Sequence, residues 1–185
     1  MRIIPAAHPE VLIIEPDVFG DERGFFMEIW HQKKFAEQGL SETFVQDNHS
    51  RSGKGVLRGL HYQLLQPQGK LVRAINGAVF DVAVDVRRGS PRFGEWVGIE
   101  LSDENMRQLY IPPGFAHGFC VLSERVDFMY KCTRFYAPKD EYGIAWDDPA
   151  IGIDWPDMDV VLSERDRQLP KLAQSTHLPE YTTVE

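Results

Sequence analysis

The seven residues from Phe80 to Val86 constrain the fold more than any other stretch of the chain. Apolar Phe80, Val82, Val84 and Val86 alternate with Asp81, Ala83 and Asp85. Successive side chains of a β-strand point to opposite faces, so a period of two predicts a strand here. Turn residues separate further short strands, which we predict at residues 11–16, 25–30, 43–50, 96–101, 108–111, 119–122 and 128–135. Many short, evenly spaced strands indicate an all-β sandwich or barrel.

The sequence predicts few helices. Residues 31–38 can form two helical turns, with Gly39 placed to end them in a left-handed conformation. Ser163 resembles a helix cap, with Asp166 three residues later. Residues 147–156 are rich in proline and acids and read as a loop. We expect the tail after Pro170 to pack on the surface or on a partner.

Composition limits the classes of function. A chain of 185 residues fits a single domain, and a net charge of −8 argues against nucleic acid or an anionic membrane as the main partner. Cys120 and Cys132 are too few for a disulfide framework and lie in apolar runs, so we predict buried free thiols. No apolar leader follows Met1, and the expected location is the cytoplasm.

The stretch from Gly55 to Gly77 concentrates residues that can carry chemistry. It places Arg58, His61 and Lys70 in what we predict to be one β-hairpin between turn glycines. A second segment, residues 111–119, carries His117 and is expected to face the first from across a barrel. Together they predict a pocket for acid/base chemistry on a small anionic substrate.

The two segments match the two halves of a cupin signature. Pro113 and His117 fit the second half, and His61 fits the first. Gln63 and Lys70 stand near the places where metal-binding cupins carry a second histidine and a glutamate. Glutamine is a poor ligand for a transition metal and a protonated lysine cannot be one. The sequence therefore predicts a barrel without metal or other cofactor, with a metal-dependent cupin as the alternative.

A histidine beside a lysine suits proton abstraction next to a carbonyl. The imidazole can exchange a proton near neutral pH, and the ammonium can stabilise the enolate oxygen that forms. A structural, hydrogen-bonded role is the alternative for each histidine, but His61, Lys70 and His117 at matching barrel positions favour the catalytic interpretation.

Arg23 and Arg58 are candidate clamps for phosphate or diphosphate, or else surface arginines. Strict alternation from His61 would turn Arg58 to the opposite face, unless Gly59 marks a bulge that returns it to the pocket.

Tyr130 and Asp166 each have a structural and a functional interpretation. Tyr130 is either a core tyrosine or a phenol that protonates a carbanion from the face opposite the base. Asp166 is either an acid favoured in the first turn of a helix, or the group that orients His61 and stabilises its charged form.

These residues lie in motifs through which the chain resembles the dTDP-4-dehydrorhamnose 3,5-epimerases, from Ile13 to about Pro170. The motifs are DERGFFME at residues 21–28, QDNHS at 46–50, LRGLHYQ at 57–63, QGKLV at 68–72, PPGFAHGF at 112–119 and YK at 130–131. The resemblance implies a metal-free cupin homodimer that converts dTDP-4-dehydro-6-deoxy-D-glucose on the route to dTDP-L-rhamnose.

The resemblance also implies roles for individual residues. His61 is the base at C3 and C5, supported by Asp166; Lys70 steadies the enolate, and Tyr130 reprotonates from the other face. The residues implied to surround the nucleotide sugar, besides Lys70, are Arg23, Glu28, Gln46, Asp47, Asn48, Arg58, His117, Glu141 and Arg165.

Three of these residues stand apart from the others. Arg165 stands where the family usually has lysine. Arg23 and Glu28 are expected to reach the site from the other subunit, because the N-terminal strands of this family cross between protomers.

Three alternatives to double epimerisation remain open at this point. They are a single-site epimerase or ketoisomerase of the same barrel, a module that binds sugar nucleotides without turnover, and the metal-dependent cupin.

Overall fold

The computed structural model describes residues 1–182, which contain thirteen β-strands and two short α-helices. The strands are β1 (Arg2–Pro5), β2 (Leu12–Glu15), β3 (Val18–Asp21), β4 (Gly24–Met27), β5 (Gln46–Gly53), β6 (Leu57–Gln63), β7 (Lys70–Asn76), β8 (Ala78–Asp85), β9 (Trp96–Ser102), β10 (Gln108–Ile111), β11 (Phe115–Val121), β12 (Arg125–Cys132) and β13 (Glu141–Gly143). The helices are α1 (Gln32–Glu37) and α2 (Glu164–Arg167), and single 3-10 turns cover Pro138–Asp140 and Leu172–Gln174.

The strands form two antiparallel sheets and one separate hairpin. The larger sheet has the order β1-β2-β10-β7-β12-β5 and the smaller the order β13-β6-β11-β8-β9, while β3 pairs only with β4. The two sheets share no strand, so the molecule is a jelly-roll sandwich rather than a continuously closed barrel. The predicted all-β, cupin-type jelly roll with few short helices is confirmed.

The core lies between the sheets. It is built from the inward side chains of both, and the rings of Phe119 and Phe128 meet across it with centroids 4.4 Å apart. Burying a side chain of this size removes a large apolar area from water, which is the main force holding such a sandwich together.

Each sheet is also covered over part of its outer face. Phe35 of α1 and Leu40 pack on Ile14 and Leu71 of the larger sheet. Residues 144–178 pack Ile144, Leu172 and Leu178 onto the smaller sheet. The expectation that the tail packs on the surface is therefore confirmed as far as residue 182, and residues 183–185 lie outside the described residues.

The outer covering explains why apolar residues alternate from Phe80 to Val86. Val82 and Val84 of β8 point outward beneath the C-terminal segment, while Ala83 belongs to the core between the sheets. Asp81 and Asp85 also point inward and are fully buried.

The predicted hairpin at Gly55–Gly77 is wrong, although both of its strands exist. β6 lies in the smaller sheet and β7 in the larger, so the chain crosses the sandwich between them. β11 does not face β6 from across the barrel either: it is the neighbour of β6 in the same sheet, with His117 directly opposite His61. Period-two patterning locates strands but does not tell which strands pair.

The bounds of four predicted strands also differ from the structure by three residues or more. The segment expected at 25–30 ends earlier, as β4 (Gly24–Met27), and the segment expected at 119–122 begins earlier, as β11 (Phe115–Val121). The segment expected at 43–50 pairs as β5 only from Gln46, where its sequence turns polar, and the segment expected at 128–135 is β12, Arg125–Cys132. β5 is polar because it is an edge strand whose inward side chains line a cavity.

The bulge predicted at Gly59 is present. The register of β6 against β11 shifts between His117 and Phe119, and Gly59 has a φ of +118°. A Cβ at Gly59 would lie 2.6 Å from the Gly118 Cα and 2.7 Å from the His117 carbonyl oxygen, so only glycine fits. Arg58 is thereby turned into the cavity.

The helix ends follow the sequence signals. Gly39 follows α1 with a φ of +92°, and Ser163 caps α2 by accepting a hydrogen bond from the Asp166 amide at 3.1 Å.

Cys120 and Cys132 are buried free thiols, as predicted. No helix within residues 1–182 has the length and apolar character needed to cross a membrane.

Candidate active site

A cavity of about 600 Å³ opens between the two sheets. Both sheets and the segment around α2 contribute to its wall. Of the residues singled out in the sequence, it brings together Gln46, Asn48, Arg58, His61, Lys70, His117, Tyr130, Glu141, Arg165 and Asp166.

Strand alternation explains which side chains of the larger sheet reach the cavity. Gln46, Asn48 and Ser50 are spaced two residues apart on β5 and all line it. Asn48 lies opposite Tyr130 of β12, which in turn lies opposite Val72, two residues from Lys70 on β7. The polar end of β5 and the phenol of β12 therefore share one inward face.

His61 and Asp166 form a hydrogen-bonded pair. The His61 Nε2 lies 2.6 Å from the Asp166 Oδ1, and the Asp166 side chain is buried while the His61 side chain is partly open to the cavity. Burial alone would raise the pKa of the Asp166 carboxyl, but its hydrogen bond to His61 and the charge of that ring outweigh burial and hold the pKa below its ordinary value. Asp166 thus points at His61 and is more than a first-turn acid.

Glu141 lies at the other nitrogen of the same ring. Its Oε1 is 3.9 Å from the His61 Nδ1, and its Oε2 accepts hydrogen bonds from Arg165 and from the Tyr136 hydroxyl, the latter at 2.9 Å. Burial is the largest single effect on Arg165 and lowers its pKa, but the hydrogen bonds and charges of Glu141 and Tyr136 together outweigh burial and raise the pKa of the guanidinium. The mouth of the cavity therefore carries a cluster of Glu141, Arg165 and Tyr136 next to the His61 ring.

A second histidine–aspartate pair lies deeper. The His117 Nε2 is 2.9 Å from the Asp81 Oδ2, and both side chains are buried. Burial lowers the pKa of His117 and raises that of Asp81, because charged forms are disfavoured away from water. Asp81 was missed in the sequence, and its signal was an acid at an inward position of a strand with apolar neighbours.

Lys70 and Tyr130 have shifted pKa values. Burial lowers the pKa of the Lys70 ammonium, and Cys132, Glu141 and Asp81 offset this only in part. Burial raises the pKa of the Tyr130 phenol, and Cys132 and Glu141 add to the effect. Because its pKa lies above the ordinary value, the tyrosine keeps its proton at neutral pH.

Arg58 is held by a residue that sequence reasoning missed. The Arg58 Nε donates to the Oγ of the buried Ser52 at 3.1 Å. This bond leaves the two terminal nitrogens of the guanidinium available for an anion in the cavity. Tyr136, exposed at the rim, was also missed; no periodic pattern marks a residue in an irregular segment.

Three predicted binding residues lie outside the cavity of a single chain. Arg23 pairs with Asp21 at the tip of the β3–β4 hairpin, and Glu28 pairs with Lys34 at 2.9 Å. Asp47 alternates with Gln46 and Asn48 and faces outward, 2.9 Å from Lys131. Their roles in binding stay predictions.

Within residues 1–182, no group of three or more His, Cys, Asp and Glu side chains is placed to hold a metal ion. Chemistry without metal stays a prediction, based on Gln63 and Lys70 standing near the sequence positions where metal-binding cupins carry ligands.

Comparison with known proteins decides the family. Residues 5–174 match the family model of dTDP-4-dehydrorhamnose 3,5-epimerase, which is most of the chain. The chain belongs to this family. Its members are isomerases acting on carbohydrates, in agreement with the resemblance seen in the motifs.

Three relatives illustrate the match. A dTDP-4-dehydrorhamnose 3,5-epimerase of Pseudomonas aeruginosa is 59% identical over 97% of this chain and all of its own length. The crystal structure of a dTDP-6-deoxy-D-glucose-3,5-epimerase from Legionella pneumophila, in complex with dTDP-4-keto-L-rhamnose, has a TM-score of 0.96 and 54% identity, covering 98% of this chain and 99% of that one. A dTDP-4-dehydrorhamnose 3-epimerase of Streptomyces niveus is 39% identical over all of this chain and 92% of its own length.

Proposed function

We propose that the chain epimerises dTDP-4-dehydro-6-deoxy-D-glucose at C3 and C5 to give dTDP-4-dehydro-L-rhamnose. The observation that carries the proposal is the His61–Asp166 pair, at 2.6 Å, in a cavity that Tyr130 and Lys70 line from the facing sheet. A base on one wall and a protonated phenol on the other are what inversion at carbon requires.

His61 acts as the base. With its Nε2–H donated to Asp166, the ring keeps Nδ1 to take the proton from the carbon next to the C4 ketone. The electron pair of the broken C–H bond moves to the C4 oxygen, and the Lys70 ammonium stabilises the enolate. The low pKa of Asp166 keeps its carboxylate charged to stabilise the imidazolium.

Tyr130 acts as the acid. The enolate collapses back to the ketone as the carbon takes the phenolic proton from the face opposite His61, which inverts the centre. His61 then releases its proton to solvent, and Tyr130 regains one. The same cycle at the second carbon completes the double epimerisation, with no oxidant, reductant or cofactor consumed.

The remaining polar residues bind the nucleotide sugar. Arg58 and Arg165 supply positive charge for the diphosphate, while Gln46, Asn48, His117 and Glu141 offer hydrogen bonds. The local cluster of cations explains how a chain of net charge −8 can bind an anion.

Arg23, Glu28 and Asp47 complete the binding site in a homodimer. The single domain would exchange its N-terminal strands with a second copy, which brings Arg23 and Glu28 to the partner's cavity. The exposed apolar side chains of the β3–β4 hairpin support this arrangement. We place the enzyme in the cytoplasm, in line with its free thiols.

Solvent exchange tests the function. Purified protein incubated with dTDP-4-dehydro-6-deoxy-D-glucose in D2O should incorporate deuterium at both C3 and C5, and the product should have the L-lyxo configuration. The absence of deuterium at both positions would refute the proposal. His61→Ala should abolish exchange, and an unchanged rate in that variant would remove His61 as the base.

A 3-epimerase is the second candidate, because the Streptomyces niveus relative carries that name at 39% identity. It would incorporate deuterium at C3 and leave C5 unlabelled. A ketoisomerase would move the carbonyl, and a module that only binds would exchange neither proton.

A further inference from the structure

Gln63 ends β6 two residues after His61, and its side chain is buried. Its amide makes three hydrogen bonds, all to backbone groups. Nε2 donates to the carbonyl oxygens of Gln66 at 2.8 Å and Phe135 at 3.2 Å, and Oε1 accepts from the Ala137 amide at 2.8 Å. Gln63 does not itself line the cavity.

A second glutamine binds the same segment from the facing sheet. The Gln46 Oε1 on β5 accepts from the Tyr136 amide at 2.8 Å. The backbone of three consecutive residues, 135–137, is therefore held by two glutamine side chains from opposite walls of the sandwich. This segment lies between β12 and the 3-10 turn, so no strand ladder fixes it.

The held segment carries Tyr136 to the cavity mouth. The Tyr136 hydroxyl donates to Glu141, and Glu141 binds Arg165 and faces the His61 ring. A continuous run of contacts thus leads from Gln63 to the rim of the site, while His61, Lys70 and Tyr130 are held by their own strands.

We propose that Gln63 is a positioning residue that, together with Gln46, fixes Tyr136 and through it Glu141 and Arg165 for binding of the nucleotide sugar. The proposal rests on the proposed function for its kinetic readout. Because Gln63 acts on the rim and not on the reacting groups, its loss should weaken substrate binding more than it slows the chemical step.

Gln63→Glu tests this with little change in volume. The introduced group keeps an acceptor for the Ala137 amide but, when ionised, sets a carboxylate against two carbonyl oxygens. At neutral pH we expect KM to rise at least about tenfold while kcat stays within about threefold of wild type. Lowering the pH protonates the introduced acid and restores one donor, so the ratio of KM between variant and wild type should fall.

A second variant and a stability control separate positioning from loss of fold. Gln63→Met keeps the length but loses all three hydrogen bonds, and should raise KM without recovery at low pH. Leu101→Ala removes buried core side chain from β9 outside the cavity wall, so it should lower Tm with KM unchanged. Unchanged KM in folded Gln63 variants would overturn the proposal. A loss of kcat in proportion to a loss of Tm, which is what destabilisation alone would produce in Leu101→Ala, would also overturn it. Failure of both Gln63 variants to fold would overturn it as well.

Binding of dTDP, measured by calorimetry, keeps this test separate from that of the function. If the wild-type chain binds dTDP but turns over no sugar, the proposed function fails while the role of Gln63 is still judged by the dTDP affinity of its variants. Weaker dTDP binding in both variants supports the inference, and equal binding overturns it.

Discussion

We expect the charge of Lys70 to set the upper end of the pH range in which the proposed chemistry can run. Burial lowers the pKa of this ammonium, so raising the pH removes its proton below the ordinary lysine value of about 10.5. The Tyr130 phenol moves the other way, because burial raises its pKa and the proton needed for reprotonation is retained. The loss of kcat at alkaline pH should therefore report Lys70 and not Tyr130.

Substitution of Lys70 checks this assignment. Lys70→Arg should move the alkaline loss of kcat to higher pH, since a guanidinium stays charged throughout the alkaline range that is measured. Lys70→Met should lower kcat about 100- to 1,000-fold, as expected for the loss of one group that stabilises an oxyanion. The measurement is the pH profile of kcat between about pH 6 and 10.5. An alkaline limb that stays in place in Lys70→Arg would show that another group titrates there.

The carboxylate of Asp166 should matter for rate more than for fold. Asp166→Asn keeps the size and one hydrogen-bonding atom next to His61 but removes the charge that favours the imidazolium. We expect deuterium incorporation at saturating substrate to fall about 100- to 10,000-fold, the range typical of a disrupted acid/base pair. Glu164→Gln on the same helix is the matched control, since Glu164 is exposed and its carboxylate accepts a hydrogen bond from the neighbouring Gln168 side chain at 2.7 Å. Equal rates in the two variants would contradict the role of Asp166.

The site residues differ in how far sequence could reveal them. His61, Lys70 and His117 stand out by residue type at matching positions of a strand signature. Asp81 was visible as an acid inside an apolar strand, but only the structure shows that it binds His117. Gln63 looked like a lost metal ligand, and its hydrogen bonds to residues 135–137 depend on a tertiary contact that no local pattern encodes.

At the level of elements, β6 depends on Gly59. Gly59→Ala would place a methyl group against the Gly118 Cα and the His117 carbonyl oxygen, at a φ of +118°. Backbone strain of this kind costs about 1–3 kcal/mol, and separating β6 from β11 would also move His61 from His117. We expect a lower Tm and a reduced kcat.

Gly53→Ala is the control for that substitution. Gly53 ends β5 at a φ that other residues adopt, and a Cβ there has an ordinary contact of 3.9 Å with the Glu124 carbonyl oxygen. Its Tm should stay within a few degrees of wild type, as measured by calorimetry. A Gly59 variant as stable and active as the Gly53 variant would show that the bulge tolerates a side chain.

The elements themselves show what a sequence pattern can and cannot predict. Alternation located β8, turn residues marked the start of β9, and capping residues located both helices, because these signals are local. The pairing of strands is not local: β6 and β7 belong to different sheets although a few residues join them. Parts of both sheets are covered on the outer face as well as the inner one, so apolar residues on either face of a strand fit there, and pattern alone cannot say which face meets the partner sheet.

For the whole molecule, the β3–β4 hairpin is the part that a single chain does not account for. It pairs with neither sheet, and Val18, Phe19, Phe25 and Phe26 on it are exposed, Phe26 by 70%. A cluster of large apolar side chains in water is typical of a surface that another molecule covers. In the proposed dimer a second copy covers it, and Arg23 at its tip reaches the partner's cavity.

Mixing two inactive variants tests that arrangement directly. In Arg23→Ala each cavity keeps its own His61 but receives a defective arginine from the partner, while His61→Ala provides intact Arg23 and a defective base. Random exchange of equal amounts makes about half of the dimers mixed, and each mixed dimer has one intact cavity of two if Arg23 acts across the interface. Epimerase activity should therefore rise after mixing to about a quarter of wild type. If Arg23 serves its own cavity, no mixed dimer has an intact site, and activity would stay at the level of the separate variants.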